Sequence, residues 1–107
     1  MLRGWKTMEI NFQEQLKNFM NEDGKLKQFP GKRKYRKIVY FFLVSKFEHD
    51  VIYTEKEVNE ILNQHHTFND SCMLRRELYN MRFLDRKKDG SEYWLEKNQP
   101  DLEEYLS

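Results

Sequence analysis

This sequence is poor in the residues on which extracellular and membrane proteins depend. A single cysteine, Cys72, excludes an internal disulfide and favours a reducing compartment such as the cytoplasm. The longest apolar run, Ile38 to Val44, has seven residues, whereas a membrane-spanning helix needs about 20. No apolar segment typical of a signal peptide lies near the N-terminus. We therefore expect a cytoplasmic protein that has no membrane partner.

Glycine and proline are also scarce, with four and two residues. This scarcity leaves no Gly-rich phosphate loop, and the chain shows no nucleophile elbow and no His-Glu-x-x-His motif. We therefore expect no enzyme activity, no catalytic residues and no cofactor. Aromatic residues, by contrast, make up 15% of the 107 residues. Disordered chains contain few aromatic residues. The length and the aromatic content predict one small folded domain.

Charge is unevenly distributed, although the formal net charge is only +1. From Lys25 to Phe47 there are eight basic residues and no acid, while Glu48 to Glu60 contains five acids and one base. The last ten residues contain three acids and no base. Such segregation produces local fields that the near-zero total conceals.

Apolar residues near the N-terminus recur at the spacing of a one-sided helix from Met8 to Met20. Asn11 and Glu14 resemble a capping pair, and Gly24 is a suitable stop. We therefore predict an N-terminal helical extension over residues 1–24, which packs on the domain or on a second subunit.

Three further helices are predicted in the middle of the chain. Pro30 suits a helix start, and a helix over 31–47 follows, although its apolar run is also compatible with a buried strand. A turn and a short strand occupy Glu48–Tyr53. Thr54 and Glu57 form a capping box that opens a helix ending near His65 and His66. Asp70 caps the next helix, Asp70–Met81, which has a stripe of Leu74, Leu78 and Met81.

The dipeptide Asp89-Gly90 is the clearest turn signal. It favours a two-residue type I′ hairpin turn, because both positions tolerate positive φ. In that register Leu84 faces Leu95 and Arg86 faces Tyr93. Pro100 then opens a short acidic helix over residues 98–107.

The order of these elements is helix, helix, short strand, helix, helix, hairpin, helix. This order predicts a mainly helical α+β fold of winged helix-turn-helix type, with a small antiparallel sheet and extra N- and C-terminal helices. The winged-helix domain is expected to span residues 25–97.

Several sequence segments between Leu26 and Trp94 also carry a family resemblance. They are Leu26–Pro30 with Lys32–Lys34, Tyr53–Asn59, Asp70 with Leu74–Leu78, and Leu84–Arg86 with Asp89–Trp94. In this order they resemble the bacterial family known as domain of unknown function 2087. The resemblance implies a winged-helix domain that is sometimes joined to transcriptional regulators.

The helix Asp70–Met81 is the expected recognition helix. With its apolar stripe inward, Arg76, Tyr79 and Asn80 point outward as candidate DNA base contacts. Basic residues at the start of the second helix and on the wing are candidate phosphate contacts. These are Lys32, Arg33, Lys34, Arg36, Lys37, Arg86, Lys87 and Lys88. The predicted function is a DNA-binding transcriptional regulator that acts as a homodimer on double-stranded DNA.

Arg75 lies at the flank of the recognition helix, beside the seam with the preceding helix. We expect Arg75 and Glu77 to form structural ion pairs with Glu55, Glu57 or Asp85. The alternative for Arg75 is a base contact.

Two other readings of the sequence remain open. His49, His65, His66 and Cys72 are possible soft metal ligands, but their spacing is not that of a zinc site, and we expect no metal. The histidines fit better as cations at helix ends.

The acids at Glu55, Glu57, Glu60 and Asp70 would repel phosphate. A protein-interaction or sensor module on the same scaffold is therefore the alternative function.

Overall fold

The computed structural model describes residues 11–100 of the chain. Four α-helices lie in this range: α1 (Phe12–Gln15), α2 (Arg33–Val44), α3 (Glu55–Asn63) and α4 (Ser71–Asn80). A 3-10 helix spans Lys17–Phe19. Three strands form an antiparallel sheet: β1 (Tyr53–Thr54), β2 (Leu84–Arg86) and β3 (Glu92–Leu95). The predicted α+β class is confirmed. Of the C-terminal helix predicted over residues 98–107, residues 98–100 are not helical, and the rest lies outside the described residues.

Helix α2 forms the centre of the core. Its apolar run is helical and not a strand, because Ile38, Val39, Phe42 and Leu43 recur at helical spacing and all are buried. The helix begins at Arg33, two residues later than predicted, since Lys32 is extended and occupies the N-cap position. It ends at Val44.

Helices α3 and α4 begin where their capping residues predict. The Thr54 hydroxyl accepts a hydrogen bond from the Glu57 amide, and the Glu57 carboxylate accepts one from the Thr54 amide. An Asp70 carboxylate oxygen accepts a hydrogen bond from the Met73 amide at the start of α4. The two helices pack through their apolar stripes, of which Leu74 and Leu78 are fully buried.

The sheet has the order β1-β3-β2. Leu84 pairs with Leu95 and Arg86 with Tyr93, so the predicted hairpin register is confirmed. The predicted type I′ turn is wrong, because Gly90 has a positive φ of 77° and Asp89 does not. Instead, the Gly90 amide donates to the Lys87 carbonyl, and the Asp89 carboxylate accepts from the Ser91 amide. These bonds stabilise a wider loop in the same register.

The predicted helix from Met8 to Met20 is wrong in its described part. Asn11 caps α1 as predicted by accepting from the Glu14 amide, but α1 ends at Gln15. Met20 instead forms an antiparallel bridge with Leu26. The cause is a turn in which the Asn21 side chain accepts hydrogen bonds from the amides of Asp23 and Lys25.

One hydrophobic cluster joins the N-terminal segment to the rest of the described chain. Leu16, Met20 and Leu26 are buried in the same core as α2, α3 and α4. Leu26 also forms a parallel bridge with His66, which ties it to the connection between α3 and α4. The division at residue 24 stays a prediction. Among residues 11–100, no helix has the length and apolar character needed to cross a bilayer.

Candidate nucleic-acid interface

Helix α4 presents a polar face to solvent. Because Leu74 and Leu78 point into the core, Cys72, Arg76, Tyr79 and Asn80 lie on the opposite side and are exposed. The three residues predicted to contact bases therefore share one open helix face.

The β2–β3 hairpin is held against α4 by Arg86. Its guanidinium lies over the Tyr79 ring, 4.7 Å from the ring centroid. The same guanidinium donates hydrogen bonds to the backbone carbonyls of Lys87 and Lys88, at 3.3 and 3.2 Å. Arg86 and Tyr79 were predicted as separate phosphate and base contacts, but the structure joins them to each other. Their contact fixes the hairpin loop relative to the helix.

A cleft separates α4 from this hairpin. Three arginine side chains line it: Arg75 and Arg76 from α4, and Arg86 from β2. The remaining lining residues come from α3, α4 and the hairpin, and they are Glu55, Cys72, Asp89, Gly90 and Tyr93. The cleft thus has three guanidinium groups against two carboxylates, which leaves an excess of positive charge.

Arg75 forms one wall of the cleft and is occupied by internal contacts. Its guanidinium lies 3.6 Å from the Glu55 carboxylate and also donates to the Asn59 side chain. It lies over the Tyr93 ring, 5.9 Å from the centroid, and its side chain is only 13% exposed. The predicted ion pair of Arg75 with Glu55 is present, and it links α4 to α3.

The other predicted ion-pairing residues have different partners. Glu77 accepts a hydrogen bond from the Tyr40 hydroxyl at 2.7 Å, which joins α4 to α2. Glu57 completes the capping box of α3. Asp85 accepts from the backbone amide of Arg86 at 2.8 Å. Each of these carboxylates accepts from a neutral donor, and among the described residues none of the three forms the predicted ion pair.

Arg76 differs from the other two arginines of the cleft. Within residues 11–100, it makes no hydrogen bond, ion pair or ring contact, and it is exposed. The guanidinium group has five donor hydrogens in a planar fork that matches a phosphate or the major-groove edge of guanine. Arg76 is therefore the arginine of the cleft that is available to a ligand.

The basic cluster at the start of α2 does not line the cleft. Lys32, Arg33, Lys34 and Arg36 are exposed, and Lys37 is partly buried. Arg36 is engaged locally, because its Nε donates to the Pro30 carbonyl at 2.8 Å and its guanidinium lies 5.0 Å from the Phe29 ring centroid. The cluster is thus a second basic surface.

The tip of the hairpin carries charges of both signs. Lys87 forms an ion pair with Glu92 at 3.9 Å, whereas the side chain of Lys88 is exposed. Hydrogen bonds from the Ser91 hydroxyl and amide lower the pKa of Asp89, so that this side chain stays ionised. Of the predicted phosphate contacts on the hairpin, Lys88 is exposed and its side chain forms no ion pair within residues 11–100.

The histidines beside this interface are not the helix-end cations that the sequence suggested. His66 is buried, its Nδ1 donates to the Leu62 carbonyl, and its Nε2 accepts from the Asp70 amide, which requires the neutral ring. Burial lowers the pKa of His65, and Lys46 and Lys25 lower it further. Among the described residues, no three His, Cys, Asp or Glu side chains converge as metal ligands.

Arg82, just beyond the end of α4, was missed by the sequence reasoning. It is exposed and lines a second depression together with Tyr79, Asn80, Asp85 and Glu96. Its backbone has a positive φ of 69°. No residue pattern signals this conformation, because arginine is not among the residues that favour it.

Comparison with known proteins identifies one family. The sequence profile of an uncharacterized protein family conserved in bacteria, domain of unknown function 2087, matches residues 25–95. The match covers about two thirds of the chain and contains α2, α3, α4 and the whole sheet. No curated protein and no solved structure matches the chain significantly.

Proposed function

The chain belongs to the bacterial family domain of unknown function 2087, and we propose that its matched region is a winged helix that binds double-stranded DNA. In this proposal α3 and α4 are the helix-turn-helix, α4 is the recognition helix, and the β2–β3 hairpin is the wing. The order α2, β1, α3, α4, β2, β3 supports this assignment, and so does the pairing of β1 with β3.

The observation that carries the proposal is the exposed face of α4 beside the three-arginine cleft. Arg76 lies there without a partner among residues 11–100, one helical turn from Asn80. Arginine binds guanine with two hydrogen bonds in the major groove, and asparagine binds adenine in the same way. Arg75 and Arg86 are already ordered by internal contacts. The other two arginines of the cleft therefore lose little conformational freedom when Arg76 binds DNA.

Phosphate contacts complete the proposed interface. Lys88 extends from the wing, and Lys32, Arg33 and Lys34 form the basic surface at the start of α2. A single winged helix covers a small DNA site, so we propose that the protein acts as a homodimer on two half-sites. The resulting function is transcriptional regulation, without catalysis and without a cofactor.

Arg76→Ala tests the proposal. Fluorescence anisotropy with a duplex selected from a random pool gives the affinity at several salt concentrations. We expect the variant to bind its selected site about 1–3 kcal/mol more weakly, with its sequence preference relaxed at one position. Lys17→Ala is the control, because it removes an exposed positive charge outside the helix-turn-helix. Failure of the wild type to bind any duplex at low salt would end the proposal.

A second candidate function is supported by the outer face of the sheet. Ile52 is 61% exposed and lines a shallow groove with Val51, Trp94 and Lys97. An exposed apolar surface of this kind is typical of protein-interaction modules. Ile52→Asp distinguishes the two functions, since it abolishes binding to a protein partner and leaves DNA affinity unchanged.

A further inference from the structure

The end of α4 contains an arginine in a conformation that suits glycine. The Arg82 amide donates to the Tyr79 carbonyl at 3.1 Å, and the Phe83 amide donates to the Leu78 carbonyl at 2.9 Å. This pair of bonds is the Schellman motif, which places the residue after the C-cap in the left-handed region. The other described residues with positive φ are Gly24, Gly90, Asp50 and Asn69, and all four are of residue types that tolerate this region better than arginine does.

The C-terminal end of α4 favours a positive charge, but no packing contact requires arginine at position 82. The hydrophobic contact of the motif is made by Leu78 and Phe83, both of which are fully buried. The Arg82 side chain is exposed, and within residues 11–100 it forms no hydrogen bond, ion pair or ring contact. A side chain other than glycine costs free energy in this backbone conformation. Arg82 therefore carries a conformational cost that no side-chain contact in the described part of the chain offsets, and only the helix dipole acts against it.

The side chain lies next to the proposed DNA-reading residues. Arg82 lines one depression together with Tyr79 and Asn80, at the end of α4 remote from Cys72. Asp85 and Glu96 line the same depression, but within residues 11–100 neither forms an ion pair with Arg82. A strained residue that the surrounding structure does not require indicates a functional role.

We propose that Arg82 is a DNA phosphate contact at the C-terminal end of the recognition helix. This inference rests on the proposed DNA-binding function and adds a residue to its interface. Arg76 lies within α4, whereas Arg82 directly follows the C-cap residue Met81. In this proposal Arg76 reads a base edge, and Arg82 holds the DNA backbone beyond the end of the helix.

Arg82→Gly separates this role from a structural one. Glycine relieves the backbone cost, so we expect the variant to melt at the same temperature as the wild type or higher. Its affinity for the selected duplex should fall roughly fivefold to tenfold at 0.1 M salt, and the slope of log K against log salt should decrease by about 0.9. Arg82→Lys keeps the charge and should retain most of the slope. Binding is measured at a temperature at which every variant is folded.

Lys17→Gly is the matched control, because it also replaces an exposed basic residue by glycine but lies in the 3-10 helix. If Arg82→Gly keeps the wild-type slope, or loses no more affinity than Lys17→Gly, the inference is wrong. That result is distinct from failure of the DNA-binding proposal, in which the wild type itself retains no duplex.

Discussion

The guanidinium of Arg86 lies over the Tyr79 ring, 4.7 Å from its centroid, and this contact couples the β2–β3 hairpin to helix α4. The two residues belong to different elements, and each was predicted as a DNA contact in its own right. Arg86 also donates to two carbonyls of the hairpin loop, so in the proposed DNA-binding function its role is indirect: it sets where Lys88 lies.

Arg86→Ala should therefore behave as a positioning variant. We expect the free energy of unfolding to decrease by about 1 kcal/mol, because an exposed cation–π contact and its accompanying hydrogen bonds are lost. DNA affinity should fall while the slope of log K against log salt stays at the wild-type value. Lys88→Ala is the comparison, in which the slope should decrease by about 0.9. A decrease of the same size in Arg86→Ala would make Arg86 a direct phosphate contact.

His66 holds the connection between α3 and α4 through both ring nitrogens. His66→Phe keeps a ring of similar size but leaves the Asp70 amide without its partner, while the Leu62 carbonyl keeps its bond from the His65 amide. Since an unsatisfied buried group costs about 1–3 kcal/mol, we expect the free energy of unfolding to fall by about 1–3 kcal/mol. Urea denaturation measures this loss. His49→Phe, at an exposed position, should change stability by less than about 0.5 kcal/mol. Equal effects of the two substitutions would refute the role of His66.

His65 should make stability depend on pH. Burial lowers its pKa in the folded state below the ordinary value of 6.5, and the charges of Lys46 and Lys25 add to this effect. Between the folded and unfolded pKa values, the unfolded chain binds more protons than the folded chain. The contribution of His65 to the free energy of unfolding is therefore present above pH 6.5 and is lost as the pH falls through the folded pKa.

The measurement compares the wild type with His65→Asn in urea at pH 7.5 and pH 5.5. We expect the wild type to lose more stability than the variant between these two values. Added salt should reduce the difference, because it screens the two lysines. An identical pH dependence of the two proteins would contradict this assignment.

Features that depend on neighbouring residues could be predicted from the sequence. The capping box of Thr54 and Glu57 and the Asp70 cap are complete within four residues, so their chemistry is readable in one segment. The hairpin register also follows from a local signal, although the turn itself is wider than predicted because Asp89 hydrogen-bonds to Ser91. The outward face of α4 follows from the spacing of Leu74 and Leu78.

Features that depend on distant residues could not be predicted in the same way. The N-terminal helix was predicted too long, because the backbone of Met20 pairs with Leu26 and leaves the helix. Glu77 was expected in an ion pair, but its partner is Tyr40, which lies 37 residues away on α2. The stack of Arg86 on Tyr79 and the strained backbone of Arg82 carry no sequence signature.

The sequence by itself determined the starts of α3 and α4, the hairpin register and the polar face of α4. Only the tertiary structure decided which arginines are occupied: Arg75 and Arg86 are held by internal partners, while Arg76 and Arg82 make no such contacts among the described residues. The physical reason is that caps and turns are satisfied within a few residues of the chain. The partner of a long charged side chain, by contrast, depends on which elements pack beside it.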